Sequence, residues 1–158
     1  MKVVARIFSL LMLLATMVFY TNCDGDDPKK SETDTQLEKL NGTWRIINAS
    51  NVTQDGAAPP FSYVGFTLTI NGTAGSTTFA YTATERPEVS PWPANGTFTF
   101  GSPVAEKLTR NDSGDPIQIT YSVTATGLIM TFPYSGTGFA GGRTSSVSGP
   151  WRFEFTKQ

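Results

Sequence analysis

The sequence predicts an all-β domain: an eight-stranded antiparallel up-and-down β barrel, with an open β sandwich of the same strand count as the alternative. Three observations predict it. Apolar and polar side chains alternate with a period of two along eight segments that follow Leu40. The composition, 15 Gly, 10 Pro and 11 Phe in 158 residues with abundant Thr and Ser, favours short strands joined by turns. Nearly every segment carries one apolar and one Thr/Ser-rich face, as expected of an antiparallel sheet wetted on one side. Closing such a meander into a barrel removes both unpaired edges.

Before the alternating region lies a different kind of sequence. Lys2 and Arg6 form a short basic stretch, and an apolar run extends from Ile7 to about Tyr20. That run is short for a membrane-spanning helix and right for the hydrophobic part of a signal peptide, expected over residues 1–22. The sole cysteine, Cys23, comes next, in Tyr20-Thr21-Asn22-Cys23. This arrangement resembles the relaxed lipobox of Bacteroidetes lipoproteins, in which the cysteine is acylated and becomes the mature N-terminus. The resemblance implies an outer-membrane lipoprotein, periplasmic-facing or exposed at the cell surface, with outer-membrane lipid held through Cys23. From Asp24 to Thr35 no apolar side chain occurs apart from Pro28, so residues 23–39 are expected to be a flexible acidic tether. Leu37-Glu38-Lys39-Leu40 is expected to add one helical turn, and the barrel to occupy 40–158.

The strands come in order. Gly42 to about Ala49 places Trp44 and Ile46 on one face. Val64, Phe66, Leu68 and Ile70 alternate with Gly65, Thr67 and Thr69; Phe79 and Tyr81 alternate with Thr78, Ala80 and Thr82. Phe98 and Phe100 make a fourth segment, Glu106 to Arg110 a short fifth, and Ile117 to Val123 a sixth. Leu128, Met130 and Phe132 mark the seventh; about Thr144 to Thr156, with Val147, Trp151, Phe153 and Phe155, marks the eighth. Asn-Gly at 41–42, 71–72 and 95–96 is expected to supply the positive φ angles of tight hairpin turns.

Several chemistries fall away on composition. The chain contains no histidine, which removes Ser-His and Cys-His catalysis and imidazole metal sites. One cysteine makes no intramolecular disulfide and no thiolate cluster. The formal charge of −1 offers no basic surface for nucleic acid. Glu85 and Glu88 flank no recognisable catalytic partner, and Asp112 and Asp115 sit in a turn-like Asn-Asp-Ser-Gly-Asp-Pro. The glycine-rich Ser135–Gly142 lacks the Lys-Ser/Thr of a phosphate-binding loop. The expectation is a non-enzyme without metal or cofactor.

At Gly42-Thr43-Trp44 the chain carries the Gly-x-Trp pattern that resembles the lipocalin signature, and from Leu40 onward it is similar to the lipocalin-like domain lipoproteins of Bacteroidetes. Trp92–Phe100, Lys107–Arg110 and Gly142–Phe153 are the other segments that carry the likeness. In lipocalins the first-strand Trp lies at the closed end of the barrel with a late-strand Arg across its ring. The resemblance therefore implies that Gly42 and Trp44 are structural, with Arg152, or else Arg143, stacked on Trp44. It also implies a small apolar or amphipathic ligand, for which Trp92, Tyr81, Tyr121 and Phe139 are the candidate contacts. An eight-stranded barrel is just wide enough to hold one small ligand or to be filled by its own side chains. The alternative function is a surface module: a filled barrel that presents loops to a protein or glycan.

Overall fold

Ser31 starts the first element of the described residues: its Oγ accepts a hydrogen bond from the Asp34 amide at 3.0 Å and caps helix α1, Glu32–Leu40. The computed structural model describes residues 29–111, 115–136, 138–139 and 147–158; Cys23, Asp112 and Arg143 lie outside them. Glu32 and Asp34 in the first turn and Lys39 in the last suit the helix dipole. Leu37 and Leu40 are buried, so the segment beyond Ser31 is a docked helix, where the sequence suggested a tether with one turn from Leu37. Two apolar side chains spaced three apart suffice for docking, and a mostly polar window conceals them.

Nine strands succeed it among the described residues: β1 Gly42–Arg45, β2 Val52–Gln54, β3 Thr67–Asn71, β4 Thr78–Thr84, β5 Asn95–Phe100, β6 Lys107–Asn111, β7 Ile117–Val123, β8 Gly127–Tyr134 and β9 Gly149–Lys157. From β3 to β9 each strand pairs antiparallel with the next. β1 pairs with β3 along one edge and with β9 along the other, Trp44 opposite Lys157, and this closes an eight-stranded up-and-down barrel. The β-sandwich alternative is thereby set aside.

β2 is the unexpected piece. It also pairs with β9, Val52 opposite Phe153, so β1 and β2 are two lengths of one stave where a continuous strand to Ala49 was expected. The interruption is a 3-10 turn over Ala49–Asn51. There the Asn48 amide donates to Asn51 Oδ1 at 2.9 Å, and the Asn51 amide donates to the Asn48 carbonyl at 3.1 Å. Local Asn side-chain bonds compete with the ladder for the backbone. Gly65 produces a second departure. Its φ of +93° breaks the period of two, so Phe66 faces in while Val64, expected on the same face, is 52% exposed.

The Asn-Gly pairs do not make hairpin turns. Asn41 ends α1 and Asn71 ends β3, whereas Asn95 and Gly96 lie within β5 opposite Thr82 and Tyr81. Of these six residues only Gly42 has positive φ. Asn41 instead works as an extra rung: its Nδ2 donates to the Gly72 carbonyl at 2.9 Å, and the Gly72 amide donates to its Oδ1 at 2.8 Å. That pair fastens the helix end to the end of β3.

The inward faces make one continuous core. Trp44, Phe66, Phe79, Tyr81, Phe98, Tyr121, Phe132, Trp151, Phe153 and Phe155 are buried as the alternation predicted, and Phe100 is half-buried. Arg152 does not reach Trp44. Its side chain pairs with Glu154 near the outer surface, while Lys157 Nζ lies 4.9 Å from the centroid of the Trp44 ring. The register explains the exchange, since β1 meets β9 at Thr156 and Lys157. Trp44 Nε1 donates to the Leu40 carbonyl at 2.7 Å, and Lys157 Nζ donates to the Lys39 carbonyl at 3.3 Å, so helix, first strand and last strand are joined at one end.

Candidate functional site: the loop-bearing mouth

The barrel has two unlike ends. α1 closes one. At the other lie, among the described residues, the loops 55–66 between β2 and β3 and 85–94 between β4 and β5, with Phe139 bridged to the second of them. The 85–94 strap decides the character of this end. Glu85, with φ +53°, turns the chain out of β4, and Pro87, Pro91 and Pro93 stiffen the rest of the loop. The strap then runs inward, and Trp92 is fully buried among the barrel's own rings.

Trp92 lies 5.4 Å from Phe132, 5.7 Å from Tyr81, 5.8 Å from Phe153, 6.1 Å from Phe66 and 6.3 Å from Phe98, mostly edge to face. Above its ring, at 4.7 Å, sits the guanidinium of Arg110, which is also 5.3 Å from the Phe132 ring. Arg110 is fully buried and donates from Nη2 to the Pro91 carbonyl at 2.8 Å. A desolvated guanidinium against two aromatic faces is a favourable electrostatic arrangement, contributing about 2 kcal/mol or more. The indole N–H of Trp92 is buried with no hydrogen-bond acceptor among the described residues. The other two indoles differ: Trp44 donates to Leu40 and Trp151 Nε1 donates to the Val147 carbonyl at 2.8 Å.

The strap is stitched to both neighbouring loops. The Trp92 amide donates to Ser90 Oγ at 3.1 Å, and the Phe139 amide donates to the Ser90 carbonyl at 2.8 Å, an isolated antiparallel bridge. Tyr63 OH donates to the Val89 carbonyl at 3.4 Å, and burial pushes the Tyr63 phenol up to about 12 against the smaller opposing effects of Ser90 and Arg86. Ile46 bonds with Gly65 and Phe66, and Ile47 and Val64 are the chain neighbours of that pairing, with Phe61 three residues before Val64. Ile47, Phe61 and Val64 are 45%, 41% and 52% exposed, the large apolar side chains left open to solvent among the described residues.

The four expected ligand contacts do not form one set. Trp92 and Tyr81 meet in the barrel centre, and Phe139 reaches the strap through Ser90 while its ring rests 6.3 Å from Tyr134. Tyr121 belongs to the helix-covered end: its OH donates to the Val104 carbonyl at 2.6 Å, and burial, then the Glu32 carboxylate, push it above the ordinary phenol range. All except half-buried Phe139 are core side chains.

No protein-family model, curated protein or solved structure matches this chain.

Arg110 is the central residue that the sequence did not single out. Its signal was present, because Leu108 and Arg110 are two apart on a strand and share a face. Glu85 and Glu88 are exposed on the strap. Among the described residues no group of three or more Asp, Glu or Cys side chains is placed to hold a metal ion. A shallow cleft of about 210 Å3 lies on the outer wall beside the 3-10 turn, lined by Asn51, Ser122, Thr124, Ile129, Glu154 and Thr156. It opens away from the mouth and shares no residue with it.

Proposed function

We propose that this chain is a lipocalin-like envelope lipoprotein, held to the outer membrane through acylated Cys23, that binds a protein partner through the rim of its loop-bearing mouth. One observation carries the reading: the barrel interior is filled by Trp92 and its neighbours, while Ile47, Phe61 and Val64 stand exposed, Ile47 and Val64 each next to a residue of the Ile46–Gly65 backbone pairing. A filled barrel is a scaffold, and exposed apolar residues grouped on loops are the usual mark of an interaction surface. Gly42 and Trp44 support the lipocalin-like reading, and several acyl chains on Cys23 would give stable anchoring, at about 0.8 kcal/mol per buried CH2.

The test is site-specific photocrosslinking in the envelope. A crosslinker at Phe61 should yield a discrete adduct, and one at Thr82 on the outer barrel wall should not. With the crosslinker kept at position 61, the pair Ile47→Ser and Val64→Ser should abolish the adduct without lowering stability, because both side chains are already exposed. Equal labelling from rim and wall would defeat the reading.

A second reading, capture of a small apolar or amphipathic ligand inside the barrel, is supported by the unsatisfied indole N–H of Trp92. A seat that leaves a donor unpaired is less favourable by about 1–3 kcal/mol than one that pairs it. Native mass spectrometry of the chain taken gently from envelope extracts checks this reading. A reproducible extra mass would support it, and a bare polypeptide mass would count against it.

A further inference from the structure

We propose that the centre of the barrel is a latent site for a planar aromatic anion of the aryl-carboxylate class, and that Trp92 occupies it as a built-in substitute. The proposal rests on the second reading above and names its ligand. Trp92 is a core residue delivered by a loop, so the side chain can leave with its strap while every strand of the barrel stays paired. Its withdrawal would vacate an indole-sized space walled by Phe66, Tyr81, Phe98, Phe132 and Phe153. Rings presented edge to face around a flat side chain would do the same for a flat ligand.

Charge selects among flat ligands. Arg110 sits at the ceiling of the space and donates to the neutral Pro91 carbonyl, which belongs to the strap itself. When the strap leaves, that carbonyl leaves with it. A carboxylate on the incoming ring would replace it with a charged acceptor in a dry surrounding, and charge-assisted hydrogen bonds are roughly twice as strong as neutral ones. The same guanidinium would keep an aromatic face 4.7 Å away, as it now keeps the Trp92 ring. The strap is poised for exchange in two respects. Trp92 sits with its N–H unpaired among the described residues, and three prolines stiffen the strap beyond the turn at Glu85.

The test follows the three indole N–H resonances of the isotope-labelled full chain by NMR during titration with naphthoate, naphthalenemethanol and cyclohexanecarboxylate. Naphthoate should shift the Trp92 signal and expose it to solvent exchange, leaving Trp44 and Trp151 in place on their carbonyl acceptors. It should bind more tightly than cyclohexanecarboxylate, which carries the charge without the flat ring, and about tenfold more tightly than naphthalenemethanol, the factor one charge-assisted hydrogen bond supplies. Arg110→Met should remove that preference. Trp92→Ala, which empties the seat and keeps the Arg110 guanidinium, should bind naphthoate about tenfold more tightly than the parent chain. If naphthalenemethanol displaces Trp92 as well as naphthoate does, the ligand reading survives and the anion class falls. If no probe moves the Trp92 signal, or a folded Trp92→Ala chain binds naphthoate no better, the latent site is overturned. Should either variant fail to fold, the three titrations of the parent chain decide alone.

Discussion

Gly72 shows how much a single position carries. A Cβ built there would lie 2.5 Å from Leu37 Cδ1 and 2.8 Å from Phe79 Cβ, so the helix sits on β3 and β4 only because that carbon is missing. Gly72→Ala should therefore lower stability by about 1–3 kcal/mol through overpacking, read as a fall in the urea midpoint at constant m. Ala tolerated at no loss would mean the helix docks elsewhere. The same economy appears at Trp44, where the expected Arg152 is replaced by Lys157. A pattern of residue types could suggest a cation for that ring, but the cation is chosen by the β1–β9 register.

At the scale of elements, α1 is what separates a barrel on a string from a barrel with a closed end. Its buried side chains are Leu37 and Leu40, and its C-terminus is tied to Gly72 by the Asn41 amide. Leu37→Ala should destabilise the domain by about 2–5 kcal/mol in equilibrium unfolding, whereas a substitution in a free tether would change nothing. The strand elements are legible in the sequence to different degrees. β4 and β7 alternate without interruption, and their bounds can be read almost to the residue. β2 cannot, because three residues after an Asn-bracketed turn offer no period to recognise. The strap is visibly proline-stiffened and capable of plugging the barrel, yet the side chain it would face, Arg110, is hidden in the strand with the weakest pattern.

For the whole molecule, closure by β1 and β9 removes both sheet edges and forces eight inward faces to share one interior. Two phenols are caught in that arrangement, Tyr63 at the mouth and Tyr121 at the helix end, both raised by burial. A phenol whose folded pKa exceeds its unfolded value leaves stability intact below about pH 10 and withdraws it as the pH rises above that. Tyr63 alone, raised from 10.0 to about 12, should remove up to about 2–3 kcal/mol across that interval. Urea unfolding between pH 9 and pH 12, with tyrosinate absorbance followed in parallel, checks this; a flat stability profile would show that the phenols reach solvent without unfolding.

The sequence by itself determined the fold class, the inward set of aromatic residues and the Thr-rich outer faces. Those come from a period of two, which is a local property that each strand states for itself. It also limited the chemistry, since a chain without histidine offers no imidazole and a single cysteine cannot close an intramolecular disulfide. The tertiary structure decided what fills the barrel. Whether Trp92 points outward or inward, which cation meets Trp44, and whether Arg110 is a surface charge or a buried one depend on which strands lie opposite each other and how loops fold back. Those are contacts between residues far apart in the chain, and no local periodicity records them.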